Sequence, residues 1–394
     1  MTSSLRPTLW LSDIYPADHV FIARAHDAAC DWIPHGAHIL DSMTGSAIAV
    51  AGQMPVVCSA AFCTQTGDDL LGVAGLEPAP RRIHFHAGQE LDALALAAAD
   101  PRARLVMQHA YPDEALRGER YWIDRSLLRF LNNKANLGAL APADHCPDRA
   151  VFDTGDFFSD EKPELPIVLK AATDDTSGGG CAVMICRTSE DLRAAREKFA
   201  KTPYIVAERL LDVVQNPCLT FAVLASGEVL YLGFAEQDIS AEGKYRGNRM
   251  TLGSSLPQAA VDPALEVVRR AAELGYRGVA GVDVAITGDG GIYVLDLNFR
   301  MNASTGSILL APAIEERWGQ VSMHLRKLQG RGDGEQLATA LLPFVRSGRL
   351  LPLCFFDAQA AGYDEPPSVQ ALMIGASPRE VLATEAELVA AGID

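Results

Sequence analysis

A chain of 394 residues, 48% hydrophobic and 21% charged, exceeds one small core and predicts two or three globular domains. Fifty acidic against 34 basic residues give a net charge of −16, which speaks against a general binder of nucleic acid or anionic membranes but allows a local basic pocket. The eight cysteines (30, 58, 63, 146, 181, 186, 218, 354) form no Cys-x-x-Cys pair and no apolar run has signal or membrane-spanning length, so reduced thiols in a cytoplasm are expected and a zinc site is not.

In residues 1–125, short apolar runs at 8–11, 47–51, 55–61, 82–85 and 104–108 predict strands. A leucine- and alanine-rich stretch at 89–99, closed by Asp100-Pro101, predicts a helix. Strand, helix, strand implies an α/β domain with some parallel pairing. No dinucleotide fingerprint is present, and His84, His86 and His109 read as ordinary polar residues near strand ends.

Asp124 opens a helix with Leu127, Leu128, Phe130 and Leu131 on its apolar side, and Asn133 can cap a new helix at Lys134. A lysine in a first turn opposes the helix dipole unless an anion joins it, although a solvated lysine explains it equally. Ile167-Val168-Leu169-Lys170 is a strand ending in lysine, and a flexible stretch runs from Thr173 to Gly180 before a second strand at 181–186. Gly178, Gly179 and Gly180 let backbone N–H groups approach phosphates closely, or form a plain hairpin tip. Ser189 is placed to cap a helix at 190–199, and a strand at 204–208 ends on Glu208.

Residues 218–224 and 229–234 form a hairpin around Ser226-Gly227-Glu228. The stretch 237–249 is basic through Lys244, Arg246 and Arg249 and reads as a loop for an anionic ligand. Asp262-Pro263 reads as the cap and first residue of a helix closed by Gly275. Val282, Val284 and Ile286 then alternate with Gly281, Asp283 and Ala285, and a hairpin turning at 288–291 sets Asp283 opposite Asp296. Asn298 and Arg300 follow on the same face. Facing carboxylates repel unless a cation lies between them. Two aspartates and an asparagine suit Mg²⁺, and the planar fork of Arg300 suits a phosphate or carboxylate. The register holds only for that turn length, and a wet acidic face is the plain alternative. Helices at 313–328 and 338–347, strands at 350–356 and 369–374, and a helix at 378–391 complete the chain.

Over about residues 131–306 the order of these motifs resembles the ATP-grasp superfamily. The resemblance implies an α/β (α+β) ATP-grasp fold: a pre-ATP-grasp α/β domain at 1–125, an ATP-grasp domain at 126–330 with a small lobe at about 140–203 and a larger lobe at about 204–330, and a C-terminal α/β appendage at 331–394. Lys134 and Lys170 are similar to the family's phosphate-binding lysines, and Ser177, Gly178, Gly179 and Gly180 to its mobile flap. Glu208, Leu210 and Leu211 resemble the adenine hinge, with Gln215 near the ribose position. Asp283, Asp296 and Asn298 fall where the family holds magnesium, and Arg300 resembles its substrate-orienting arginine. Lys244, Arg246 and Arg249 would help to neutralise the transferred group. Both metal positions are aspartate where glutamate is common at the second, and Gly281 stands where D-alanine ligases carry arginine. The overall plan is similar to peptide ligases of natural-product pathways, such as the pheganomycin type.

The implied activity is ATP-dependent joining of a small-molecule carboxylate to an amine through an acyl phosphate, with ATP and Mg²⁺ and release of ADP and phosphate. A biosynthetic role on an amino acid or peptide is expected, in the cytoplasm, with neither nucleic acid nor membrane as partner and with a homodimer left open. Two alternatives stand beside it. One is another ATP-grasp chemistry (carboxylation, thioester formation or phosphotransfer), although no Met-Lys-Met carrier signal is present. The other is a non-catalytic nucleotide-binding protein, expected to have lost the lysines or metal positions that this chain keeps.

Overall fold

The structure, a computed structural model, describes residues 4–29, 31–33, 36–159, 163–240 and 243–394; Cys30 and residues 241–242 of the basic stretch lie outside the described residues. The other seven cysteines are free. Among the described residues no helix is long and apolar enough to cross a membrane.

The N-terminal region carries a wholly parallel four-stranded sheet in the order Arg82–Phe85, Val56–Ser59, Val20–Ile22, Leu105–Met107. Its central strand, Val20–Ile22, is missing from the sequence reading. It is three residues long and buried throughout, so no alternation marks it. The runs at 8–11 and 47–51 are not strands. The first leads into the short helix Leu11–Ile14, and Ala47 to Ala51 are buried consecutive turns, whose apolarity reports burial alone. The helix expected at 89–99 is Glu90–Ala97.

An antiparallel sheet in the order Arg149–Asp153, Tyr204–Arg209, Ile167–Ala172, Val183–Cys186 forms the small lobe. The helix Ser189–Lys198 packs against it and is capped by Thr188, one residue before the expected Ser189. Thr188 accepts from the Asp191 backbone N–H and Asp191 bonds back, a reciprocal box that Ser189 would have to pair with Leu192.

A nine-stranded sheet forms the large layer. Its path runs Ile292–Asn298, Gly278–Thr287, Pro217–Val223, Val229–Ile239, Tyr245–Thr251, Ser322–Gln329, Ser368–Gly375, Leu350–Phe356, with Val213–Gln215 beside Gly278–Thr287. Three expectations are corrected here. The basic stretch at 237–249 is largely a hairpin, because Val229–Ile239 runs on past Phe234 and pairs with Tyr245–Thr251. The helix expected at 313–328 is instead the end of Thr305–Trp318 followed by the strand Ser322–Gln329, divided at Gly319, whose φ of 76° ends the helix. The helix expected to start at Asp262-Pro263 is Gln258–Glu273, which follows Pro257 and has Pro263 inside its second turn.

Residues after 330 continue this sheet rather than hanging from it. Leu350–Phe356 and Ser368–Gly375 join it through Ser322–Gln329. One apolar core spans Phe21 and Met54 of the N-terminal region, Leu310 and Ile314 of the Thr305–Trp318 helix, and Leu351, Phe355 and Leu372 of the C-terminal strands.

Candidate active site

The hairpin at 278–298 sets the geometry of the site. Near its tip Ile286 pairs with Ile292 and Val284 with Val294, so the turn is one residue longer than the simplest hairpin. That length alone would put Asp283 across from Leu295. A bulge at Leu295 takes up the extra residue, and Asp283 faces Asp296 after all, with Val282 opposite Leu297 and Gly281 opposite Asn298. The bulged residue has a second role: the Leu295 carbonyl, freed from the ladder, accepts from Lys170 Nζ at 2.8 Å.

The two facing carboxylates are not equivalent. Lys134 bonds Asp296 Oδ2, which gives the first-turn lysine the anion that its position calls for. Asn133 caps that turn by accepting from Ala135 N at 3.0 Å. Burial alone would raise the Asp296 carboxyl, but Lys134, Lys170 and Arg300 outweigh it and hold it below the ordinary carboxylate range. Asp283 lies further from these cations; burial and the neighbouring Asp296 charge push it up. Asn298 Nδ2 donates to Asp283 Oδ2 at 3.4 Å, and Asp283 Oδ1 is buried with no hydrogen-bond partner. An unsatisfied carboxylate oxygen beside a second carboxylate and an amide oxygen is a donor set for a hard divalent cation. Among the described residues no third acidic, histidine or cysteine ligand joins them. That fits an ion which completes its shell with phosphate and water rather than one caged by protein.

Arg300 is half-buried on the same face. Its fork donates to the Ser177 carbonyl at 3.2 Å and to Asn132 Oδ1 at 3.4 Å, rather than to either aspartate. The flap is thereby held against the metal face. It also leans on the turn of the neighbouring hairpin: a Cβ on Gly180, whose φ is 79°, would lie 2.5 Å from the Gly243 carbonyl oxygen. Ser177, Gly178, Gly179, Gly180 and Lys244 all line one cavity of about 890 Å³ together with Lys134, Asp283, Asp296, Asn298 and Arg300.

Other expected residues stand apart. Arg246 and Arg249 do not reach this cavity. Asn248 and its partner Gln237 face it, so Arg249, the next residue, points to the opposite face of the sheet, and both arginines pair with Asp238 at 3.0 and 3.3 Å. Glu208 does not face an open adenine cleft. It is 3% exposed, and its carboxylate pairs with Lys170 at 2.5 Å and Arg149 at 3.4 Å. Lys170 lies behind the cavity wall, shared between Glu208 and Leu295. Leu210, Leu211 and Gln215 lie at the hinge end of the large sheet, outside this cavity, where Gln215 pairs with Ile286.

Gln108, His109 and Cys218, to which the sequence reading gave no role in the site, line the cavity, and Asn132 lies beside it with Arg300. Gln108 holds the chain after the hairpin by accepting from Met301 N at 2.5 Å. Asn132 accepts from Phe299 N at 3.0 Å and from Arg300. His109 is buried beside Arg300; burial first, and then the arginine charge, push its pKa down to about 3, so the ring is neutral at working pH. Cys218, opposite Asp283 on the next strand, is a thiol raised well above its usual range by burial and by Asp283. The one signal for Gln108, His109 and Asn132 in the sequence is their position at or just beyond the end of a strand or helix.

Two family profiles match the chain. The ATP-grasp domain of L-aspartate–L-methionine ligase matches residues 147–298, and the N-terminal domain of the same ligase matches residues 10–129. Among solved structures, the fold is similar to N5-carboxyaminoimidazole synthetase from Staphylococcus aureus complexed with ADP (TM-score 0.57, 13% identity, 98% of each chain covered). It is also similar to L-amino acid ligase from Bacillus licheniformis (TM-score 0.55, 14% identity, 95% of this chain and 97% of that one). Biotin carboxylase from Campylobacter jejuni shares it as well (TM-score 0.56, 12% identity, 93% of this chain and 89% of that one). The chain belongs to the ATP-grasp superfamily of carboxylate–amine ligases, enzymes that form carbon–nitrogen bonds.

Proposed function

We propose that this protein joins two amino acids, activating one carboxylate as an acyl phosphate with ATP and Mg²⁺. The observation that carries the reading is the charge of the cavity. In a protein of net charge −16, the described residues of the wall carry Lys134, Lys198, Lys244, Arg300 and Lys327 against Asp283 and Asp296. Such a wall draws in anions, and here it must gather a triphosphate and at least one carboxylate. The match to the L-aspartate–L-methionine ligase profiles supports an acidic amino acid as donor and a methionine-like acceptor.

Asp283, Asp296 and Asn298 would hold Mg²⁺, which would offset the negative charge that develops on the transferred phosphate. Lys134, already on this face, would shift from Asp296 to a phosphate oxygen. A donor carboxylate oxygen held by Arg300 would attack the γ-phosphorus, and the bond to the bridging oxygen would break to release ADP. The acceptor nitrogen, entering as the free amine, would then attack the acyl carbon and lose a proton as inorganic phosphate leaves. The flap, pinned by Arg300 and the Gly243 turn, would keep water from the acyl phosphate between the two steps. Lys170 would stiffen this arrangement from behind through Glu208 and Leu295.

The test is ADP release with ATP, Mg²⁺ and pairs drawn from the twenty amino acids, with products identified by mass spectrometry. Hydroxylamine in place of the acceptor should yield the donor's hydroxamate. Dipeptide formed without any trappable hydroxamate would rule out a free acyl phosphate.

A further inference from the structure

The cavity extends well beyond the metal face, and its far end is built by parts of the chain unrelated to phosphate chemistry. Lys327, Gln370 and Cys354 lie in one row across three neighbouring strands, since Lys327 pairs with Gln370 and Gln370 with Cys354. All three line the cavity. The N-terminal helix Ala37–Ser42 closes over them, and Ser42 Oγ accepts from Lys327 Nζ at 3.2 Å while donating to the Ile39 carbonyl at 2.8 Å.

Lys327 is a cation without an anion. Its one bond goes to a hydroxyl, so two of its three N–H donors are free to meet a ligand, and among the described residues no carboxylate pairs with it. Cys354, whose charge would act on Lys327, is pushed up to about 11 by burial and stays a neutral thiol. Solvent reaches the Lys327 ammonium through the cavity, yet enough protein surrounds it that burial lowers its pKa. The Lys327 side chain is exposed to the cavity, so its ammonium can take an incoming anion without first giving up a protein carboxylate. Beside it the wall turns apolar, with Ile33, Ile39, Met43, Phe62 and Phe356.

We propose that Lys327, with Ser42 and Gln370 at its side, binds the free α-carboxylate of the amine substrate, and that the adjoining apolar wall takes that substrate's side chain. The inference rests on the amino-acid ligase reading and deepens it. In such a ligation one carboxylate is consumed at Arg300, while the acceptor amino acid keeps its own and needs a counter-charge away from the phosphates. Lys327 is the cavity cation placed for it. Lys134 sits on Asp296, Arg300 on the flap, and Lys198 bonds the Val183 carbonyl at 2.8 Å. Lys244 is on the turn that the flap touches. An apolar pocket next to a carboxylate clamp selects an apolar side chain over a charged one.

The experiment compares the wild-type protein with Lys327→Met and Lys327→Arg. Steady-state kcat/KM is measured for the best acceptor among the twenty amino acids, with L-methionine expected, and for that acceptor's amide, in which the carboxylate charge is gone. Wild type should prefer the acid, and Lys327→Met should lose roughly 10- to 100-fold of that preference through the acceptor KM, with ATP KM unmoved. Lys327→Arg should keep most of it. A cooperative thermal unfolding curve for Lys327→Met excludes misfolding as the cause. A preference that survives in Lys327→Met, or a rise in ATP KM instead, overturns the subsite while the ligase reading stands. Wild-type protein that releases no ADP with any amino-acid pair overturns the ligase reading and the subsite with it.

Discussion

Asp296 is asked to serve two cations. Lys134 bonds it, and the orphaned Asp283 oxygen across the ladder marks where a divalent ion would join. Asp296→Asn relieves the repulsion that raises Asp283 but gives up the ion pair with Lys134, two effects of opposite sign, so thermal unfolding should shift little. Its effect on chemistry should be far larger, at least a hundredfold in Mg²⁺-dependent ADP release. Turnover equal to wild type at saturating ATP and Mg²⁺ would remove Asp296 from the metal set. Arg300 separates two roles in the same way. If its fork receives the donor carboxylate, Arg300→Lys should lower kcat/KM for that carboxylate by roughly 30- to 1000-fold, about 2–4 kcal/mol, and leave ATP KM nearly unchanged. If it only anchors the flap through Ser177, lysine would reach that carbonyl as well and the variant would be close to silent. Asp296, Asn298 and Arg300 were legible because strand alternation places residues two apart on one face, whereas Asp283 comes opposite Asp296 only because the bulge cancels the longer turn. Glu208 was misplaced because a hinge motif carries no information on which way its carboxylate turns, and Lys170 and Arg149 claim it.

The flap and the metal hairpin show how elements convert such residues into a site. Alternation and glycine placement predicted both hairpins, but not the bulge at Leu295, because a bulge leaves the apolar pattern almost intact while shifting the register by one. The strand Ser322–Gln329 was hidden for a related reason: it follows a helix after a single break at Gly319, and its apolar residues fit a helical stripe about as well as a strand. The flap itself offers a sharp element-level test. Gly179 has a φ of 61°, which proline cannot adopt, so a proline there would disrupt the loop whatever its role. Alanine at Gly180 is more informative. It places a Cβ against a backbone oxygen that cannot swing aside, whereas alanine at Gly178 meets no atom within 4 Å. Gly180→Ala should free the flap from the Gly243 turn, lowering product formation at least tenfold and raising the ratio of ADP to dipeptide as water reaches the acyl phosphate. Gly178→Ala should remain near wild type. Equal losses in the two variants would mean that contact with the turn does not matter.

At the scale of the molecule, motif order revealed an N-terminal α/β region leading into an ATP-grasp sheet, but it did not reveal how the regions share a core. The family resemblance cuts the chain near 125 and 330, yet packing crosses both cuts. Leu350, Leu351, Phe355, Leu372, Met373 and Ile374 are each 3% exposed or less, in one cluster with Phe21 and Met54 from the N-terminal region and Leu310 from the Thr305–Trp318 helix. A chain ending at Gly330 would lose those six side chains from the core and leave the Ser322–Gln329 strand as an open edge. Each buried apolar side chain contributes roughly 1.5–3 kcal/mol, so six represent about 9–18 kcal/mol, as large as the whole net stability of a typical domain at about 5–15 kcal/mol. The exposed strand edge would also invite aggregation. Removal of 331–394 should therefore abolish the cooperative thermal transition and ADP release together, and it should do so even though every residue assigned to phosphate, metal and flap remains. It would also remove Gln370 and Cys354, the neighbours that align Lys327. A truncated protein that unfolds in one sharp transition and still releases ADP would mean that the C-terminal strands are an appendage after all, and that the sheet is complete without them.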